Sequence, residues 1–156
     1  MEGVAKDLVA NSPEATVSFF AVFSRFEYAL KRSGYLRNKR RAEADWTRFA
    51  NGLGKPFFDE VLRSERATVL IHQPPKKQIN EKGQLTWQDA TEINNVTELF
   101  KAVCLVRNNL FHGGKYPQAP IDDRSRNQEL LLQAKFVLER ALERCPTVKE
   151  FFEVGF

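Results

Sequence analysis

Apolar residues recur at spacings of three and four over most of the chain, and the first such run opens behind a clear start signal. A short lead-in of residues 1–11 precedes Ser12-Pro13-Glu14, which offers a capping hydroxyl, a proline suited to a first turn and a carboxylate that complements the helix dipole. Phe19, Phe20, Phe23, Phe26 and Leu30 follow at helical spacing, with Val22 widening the stripe. This pattern predicts a helix to about Ser33, stopped by Gly34. Glu27 lies one turn beyond Phe23 and borders that face. A carboxylate there either edges the core or orients a basic group on a neighbouring helix.

A second helix is expected from Arg40 to Asn51, with Ala44, Trp46, Phe49 and Ala50 as its apolar members and Gly52 and Gly54 at its end. A short segment from Pro56 to Glu65 carries Phe57, Phe58, Val61 and Leu62 on one side. Ala67 to Ile71 is a brief β-type run, equally readable as an extended loop, with Leu85-Thr86-Trp87 as its one conceivable partner. His72 to Gln84 is rich in prolines, lysines and glycine and reads as a long surface insertion whose lysines could touch a ligand. His72 on its own reads as a surface residue. Asn95-Val96-Thr97-Glu98 has the form of a capping box and predicts a helix to about His112, broken by Gly113-Gly114. A last long helix is expected from about Asp123 to Arg144, ended by Pro146. Thr147 to Glu150 then forms a capping box for a short terminal turn. The sum is one all-α domain over residues 1–156, a bundle of four or five helices with an irregular insertion around residues 66–92.

Composition changes this picture little. The chain has 156 residues, enough to bury a core without staples, and 42% of them are hydrophobic, which excludes a disordered chain. Cys104 and Cys145 stand far apart without metal-ligand spacing and read as reduced thiols. The amino terminus lacks a signal-peptide pattern, and no apolar run is long enough to span a membrane. A soluble, cytoplasmic protein is expected. The net charge of +4 is a mild bias toward anionic partners. It is concentrated in Lys31, Arg32, Arg37, Lys39, Arg40 and Arg41, six cations in eleven residues. These are either a solvated surface or a phosphate-binding patch.

The helix expected after Asn95 carries the candidate chemistry. At about 100° per residue, Leu99, Val103, Val106 and Leu110 fall on one line, Phe100, Cys104 and Phe111 flank it, and Ala102 and Leu105 cover much of the other side. Such a helix is central and largely buried. Arg107, Asn108 and His112 break its apolar pattern just before the double glycine. Asn108 and His112 are neighbours four apart. Arg107 and His112 are five apart, roughly 140° around an ideal helix, so helix distortion or a second copy of the chain is needed to bring them together. Each residue alone has a structural explanation: an arginine paired with Glu27 or Glu98, and a histidine favoured at a helix C-terminus. No metal constellation is present in the sequence, and no cofactor is expected.

Taken together, Arg107-Asn108-Asn109-Leu110-Phe111-His112 resembles the signature of the HEPN superfamily: an arginine, a polar residue after it, and a histidine after a gap of four to six residues. The context is similar too, with the motif near the end of a late helix in a small all-α domain, followed by a further long helix. Phe26-Glu27-Tyr28-Ala29 looks more loosely like the first helix of such domains. The resemblance implies a HEPN-like bundle and a metal-independent endoribonuclease, working as a homodimer whose two motifs form one composite site. It assigns proton transfer to His112, the phosphate to Arg107 and positioning to Asn108, with Glu27 in support. Lys31, Arg32, Arg37, Lys39, Arg40, Arg41 and Lys115 are the RNA-binding candidates. A toxin or anti-phage defence setting, with an antitoxin or regulatory partner, is part of the same expectation. One departure is notable. Many toxin members carry a tyrosine two residues after the histidine, the target of a nucleotidyltransferase antitoxin, and that position here is Gly114. The alternatives are a non-catalytic RNA- or nucleotide-binding module and a purely structural interaction domain.

Overall fold

A computed structural model of the protein describes residues 14–111 and 121–154. Among these are six helices and one two-stranded sheet. The helices are α1 (Glu14–Arg32), α2 (Trp46–Ser64), α3 (Thr68–His72), α4 (Val96–Phe111), α5 (Ile121–Arg144) and α6 (Pro146–Glu153). Strands β1 (Lys77–Glu81) and β2 (Gln84–Gln88) lie between α3 and α4. The expected all-α character holds in its main lines. No described helix is long and apolar enough to cross a membrane.

The α1 stripe forms much as its spacing predicts. Phe19, Phe23, Phe26 and Leu30 are buried, and Gly34 follows the helix with a positive φ of 89°. Phe20 departs from the expectation and is 49% exposed. It lies about 100° around the helix from Phe19, outside the arc that faces α5 and α6. The proposed cap at Ser12 and Pro13 falls outside the described residues.

The loop after α1 shifts the start of the next helix. Leu36 bridges Ala44, Arg37 N donates to Glu43 O (2.9 Å), and Asp45 N donates to Tyr35 O (2.9 Å). Residues 40–44 are therefore held in a tight reversal and are not helical as the sequence suggested. Asp45 caps α2 instead, its carboxylate accepting from Arg48 N at 3.0 Å. The helix also passes the glycines expected to end it. Gly54 alone leaves helical geometry (φ 71°, ψ −170°), and Pro56 restarts the helix two residues later. The expected second helix and third segment are thus two halves of one kinked element. At the far end of α2, Glu60 accepts hydrogen bonds from Arg144 of α5, whose guanidinium holds this carboxyl below the usual range.

The segment expected as a β-type run is the short helix α3. Tertiary burial overrides its β-branched composition. Leu70 and Ile71 are fully enclosed, and Leu70 N donates to Gln133 Oε1 at 3.0 Å. Gln133 is the buried polar side chain of the described core. The insertion is not irregular either. Strands β1 and β2 pair antiparallel from Lys77 with Gln88 to Glu81 with Gln84. Lys82 (φ 51°) and Gly83 (φ 83°) supply the two positive φ values that a tight hairpin turn requires. Ile93 N then donates to Ile71 O (2.9 Å), returning the chain to the core.

The cap expected at Asn95 is present, with Glu98 reaching one residue further back than a strict capping box. Asn95 Oδ1 accepts from Glu98 N (2.9 Å), and Glu98 Oε2 accepts from Asn94 N (2.8 Å). Leu99, Phe100, Ala102, Val103 and Val106 are buried, so α4 is central as its all-round apolarity implied. Phe100 closes an aromatic cluster, 5.6 Å from Phe49 and 5.8 Å from Phe57 between ring centroids. Trp46 stacks against both Phe23 (5.1 Å) and Phe26 (5.4 Å), linking α1 to the start of α2. In α5, Leu130, Leu131, Ala134, Val137, Leu138 and Ala141 are buried. The terminal helix α6 begins at Pro146 with Cys145 at its N-cap, so Thr147 does not cap it. Proline at the first helical position already removes one of the amides a cap would satisfy.

Two substitutions weigh these elements. Phe100→Ala is expected to cost about 3–5 kcal/mol in a denaturant titration, because it opens a cavity where three other helical side chains meet. Asn95→Ala is expected to cost about 1 kcal/mol in the same measurement.

Candidate functional site

Arg107 leaves α4 toward α1. Its guanidinium carbon lies 5.2 Å from the Phe23 ring centroid. That contact draws the cation against an aromatic face. Phe26, through Phe49, meets Phe100, while Phe23 meets Arg107. At this crossing α1 and α4 therefore run in opposite senses, and the space between them is filled by large side chains. Arg107 is half-buried, and its Nε is buried with no hydrogen-bond partner among the described residues. Thr16 Oγ1, on α1, is buried and unpartnered in the same way. An unpaired buried donor on a guanidinium is costly.

Cys104 lies one turn before Arg107. Burial pushes its thiol up to about 12, opposed by the Arg107 charge and assisted by the Glu27 charge. Glu27 thus belongs to the same neighbourhood, half-buried on α1, but it makes no ion pair with Arg107 among the described residues. Glu98 is engaged as a cap at the other end of α4. The two carboxylates considered as structural partners of Arg107 therefore do not take that role.

The other candidates are spread out. Asn108 is half-buried at the end of α4. His112 and Lys115 lie outside the described residues. Lys31 and Arg32 close α1, where Arg32 sits 5.1 Å over the Phe151 ring. Arg37, Lys39, Arg40 and Arg41 are exposed on the reversal that follows. Asn38 Oδ1 holds that turn by accepting from Arg40 N (2.9 Å) and Arg41 N (2.7 Å). The basic cluster starts at the far end of α1 from Phe23. Nine residues separate Phe23 from Arg32, roughly 14 Å of helix axis. Arg32, at the end of α1, therefore lies away from the contact between Arg107 and Phe23.

Sequence reasoning passed over a second polar group. His72 Nδ1 donates to the carboxylate of Glu92, and Lys76 Nζ lies 3.2 Å from Asp89. Arg126 Nη2 on α5 donates to Gln73 O (2.7 Å) and Pro74 O (2.8 Å). His72, Lys76, Asp89 and Arg126 line an open cleft of about 320 Å³ at the root of the hairpin, with Glu92 outside it. Asn109 Nδ2 donates to Lys76 O at 2.9 Å, tying the cleft to the motif helix. The signal available in sequence was the Lys82-Gly83 turn: once it pairs the strands, residues 72–76 and 89–92 must come together. Among the described residues no group of three or more His, Cys, Asp or Glu is placed to hold a metal ion.

The Cys104 environment gives a direct check. With Cys145→Ser removing the other thiol, Cys104 is expected to react with a disulfide reagent at pH 8 about a thousandfold more slowly in the native protein than in denaturant. Equal rates would mean that the α1–α4 gap is open. Comparison of the chain with models of known families, with curated proteins and with solved structures gives no match.

Proposed function

We propose that the protein is a metal-independent endoribonuclease of the HEPN type, acting as a homodimer. The observation that carries the reading is Arg107. It sits on the central helix, stacked on Phe23, with a buried Nε that no described residue satisfies. That is an unusual place for an arginine whose role is structural, and a suitable one for a group that meets a phosphate.

RNA brings its own nucleophile. The 2′-oxygen attacks the adjacent phosphorus, its proton passes to a base, and the 5′-oxygen leaves with a proton from an acid. The products are a 2′,3′-cyclic phosphate and a 5′-hydroxyl. Imidazole is suited to both proton transfers near neutrality, which assigns them to His112. The Arg107 guanidinium holds phosphate oxygens and stabilises the charge that builds on them. Asn108 positions the phosphate or the imidazole. The resemblance of the motif supplies the setting, a toxin or defence system restrained by an antitoxin or regulatory protein.

The outer face of α1 supports the homodimer. Val17 (64% exposed), Phe20 (49%) and Tyr28 (40%) lie on it together with exposed Ala21 and Ser24. Their spacing puts them on one stripe opposite the buried phenylalanines. Polar residues belong on such a face unless something covers it. A second copy packed there would cover this apolar stripe.

In EDTA, the purified protein is expected to cut single-stranded RNA and leave 2′,3′-cyclic phosphate ends. Arg107→Ala and His112→Ala should each lower the rate by about a hundredfold or more while circular dichroism stays native. A wild-type protein that leaves structured and unstructured RNAs intact overturns the reading. For the dimer, Phe20→Asp should shift the species seen in sedimentation equilibrium to a monomer and depress cleavage with it. An unchanged mass rules out this face.

A further inference from the structure

We infer that the cleft at the hairpin root is a binding subsite for a single-stranded RNA segment next to the scissile phosphate. The inference rests on the ribonuclease reading for its place beside a scissile bond, but not for the binding itself. The cleft is built from three separated stretches. Residues 72–76 leave α3, residues 89 and 90 follow β2, and Arg126 comes from α5. Arg126 fixes the wall by donating to Gln73 O and Pro74 O, both from Nη2. The ring of His72 is oriented by Glu92 through Nδ1, which turns Nε2 away from that carboxylate. Lys76 is held by Asp89, whose side chain is 85% exposed and free of other ion pairs among the described residues.

These features suit a nucleotide. Its phosphate finds an ammonium, a guanidinium and an imidazole, with Asp89 exposed enough to swing out when an anion arrives. Ala90 is exposed at the rim, and Gln73 offers a hydrogen-bonding edge to a base. A volume of about 320 Å³ accommodates one such unit. The position matters as much as the chemistry. Asn109 stands between Arg107 and His112 in the sequence and bonds Lys76 O. Arg107 and Asn109 are two residues apart and leave α4 about 200° apart. The end of α4 therefore has Arg107 on one side and the cleft on the other, separated by a helix diameter of about 10 Å. A strand crossing the end of α4 spans that distance with a few nucleotides.

The test separates binding from cutting by using a fluorescein-labelled, fully 2′-O-methylated single-stranded oligonucleotide, which has no nucleophile. Anisotropy should show Lys76→Gln binding about tenfold more weakly, with the salt slope reduced by about 1. Asp89→Asn, which frees Lys76 from its neutralising partner, should bind about threefold more tightly. Opposite shifts from two members of one ion pair are not the result of a merely structural bridge. If both variants stay within twofold of wild type, or weaken together, the subsite is overturned. The two readings fail separately. Wild type that cuts RNA while the variants bind normally removes only the cleft. Wild type that cuts nothing while the variants shift in opposite directions keeps the cleft and removes the ribonuclease.

Discussion

The arrangement depends on an aromatic bridge between α1 and α4. Trp46 stacks on Phe23 and Phe26 on one side and lies 6.2 Å from Phe100 on the other. Phe49 meets Phe26 and Phe100 edge-on. Aliphatic residues of the same number would not fill the distance between two helices that mainly pack against other partners. Rings do, and their stacked and edge-to-face contacts have a preferred geometry that sets the separation. That separation is what Arg107 requires. The last ring of the series, Phe23, becomes the surface on which its guanidinium lies. Were the gap narrower, the arginine would be expelled. Were it wider, the arginine would be solvated and its Nε would have water.

Much of this was legible in the chain, for identifiable reasons. The burial of Phe19, Phe23 and Phe26 follows from spacing alone, and the cap of α4 follows from Asn95 and Glu98. The central position of α4 follows from its apolarity on every side. What was hidden lies in contacts and backbone geometry that no residue pattern encodes by itself. Residues 40–44 look helical until Ala44 bridges Leu36. Val69 and Ile71 favour a strand until Gln133, more than sixty residues away, accepts from Leu70 N. Gly54 looks like a terminus, yet with Pro56 behind it the helix resumes after a kink.

The candidate site divides along the same line. Arg107 was singled out by its misfit in an apolar helix, a local property. Glu27 was placed near it by its position beside the buried stripe, and its charge does bear on Cys104. The place of the basic loop relative to Arg107 was not visible, since density of charge along a chain carries no information about where that stretch folds. The cleft containing His72 was not visible for the opposite reason: its members are scattered from position 72 to position 126 and converge only through the hairpin and α5.

The hairpin has a consequence for how related chains should differ. Its two-residue turn fixes the register at one end, and Arg126 and Asn109 fix its root at the other. Between these anchors the ribbon is free to change length without disturbing the core. It must do so symmetrically, because a single added residue would turn every following side chain to the opposite face. Insertions in this region should therefore come in matched pairs, one residue per strand, with the flanking residues 72–76 and 89–92 keeping their spacing to α3 and α4. The hairpin is then a variable-length arm on a fixed mount, adjustable while the helices behind it stay the same.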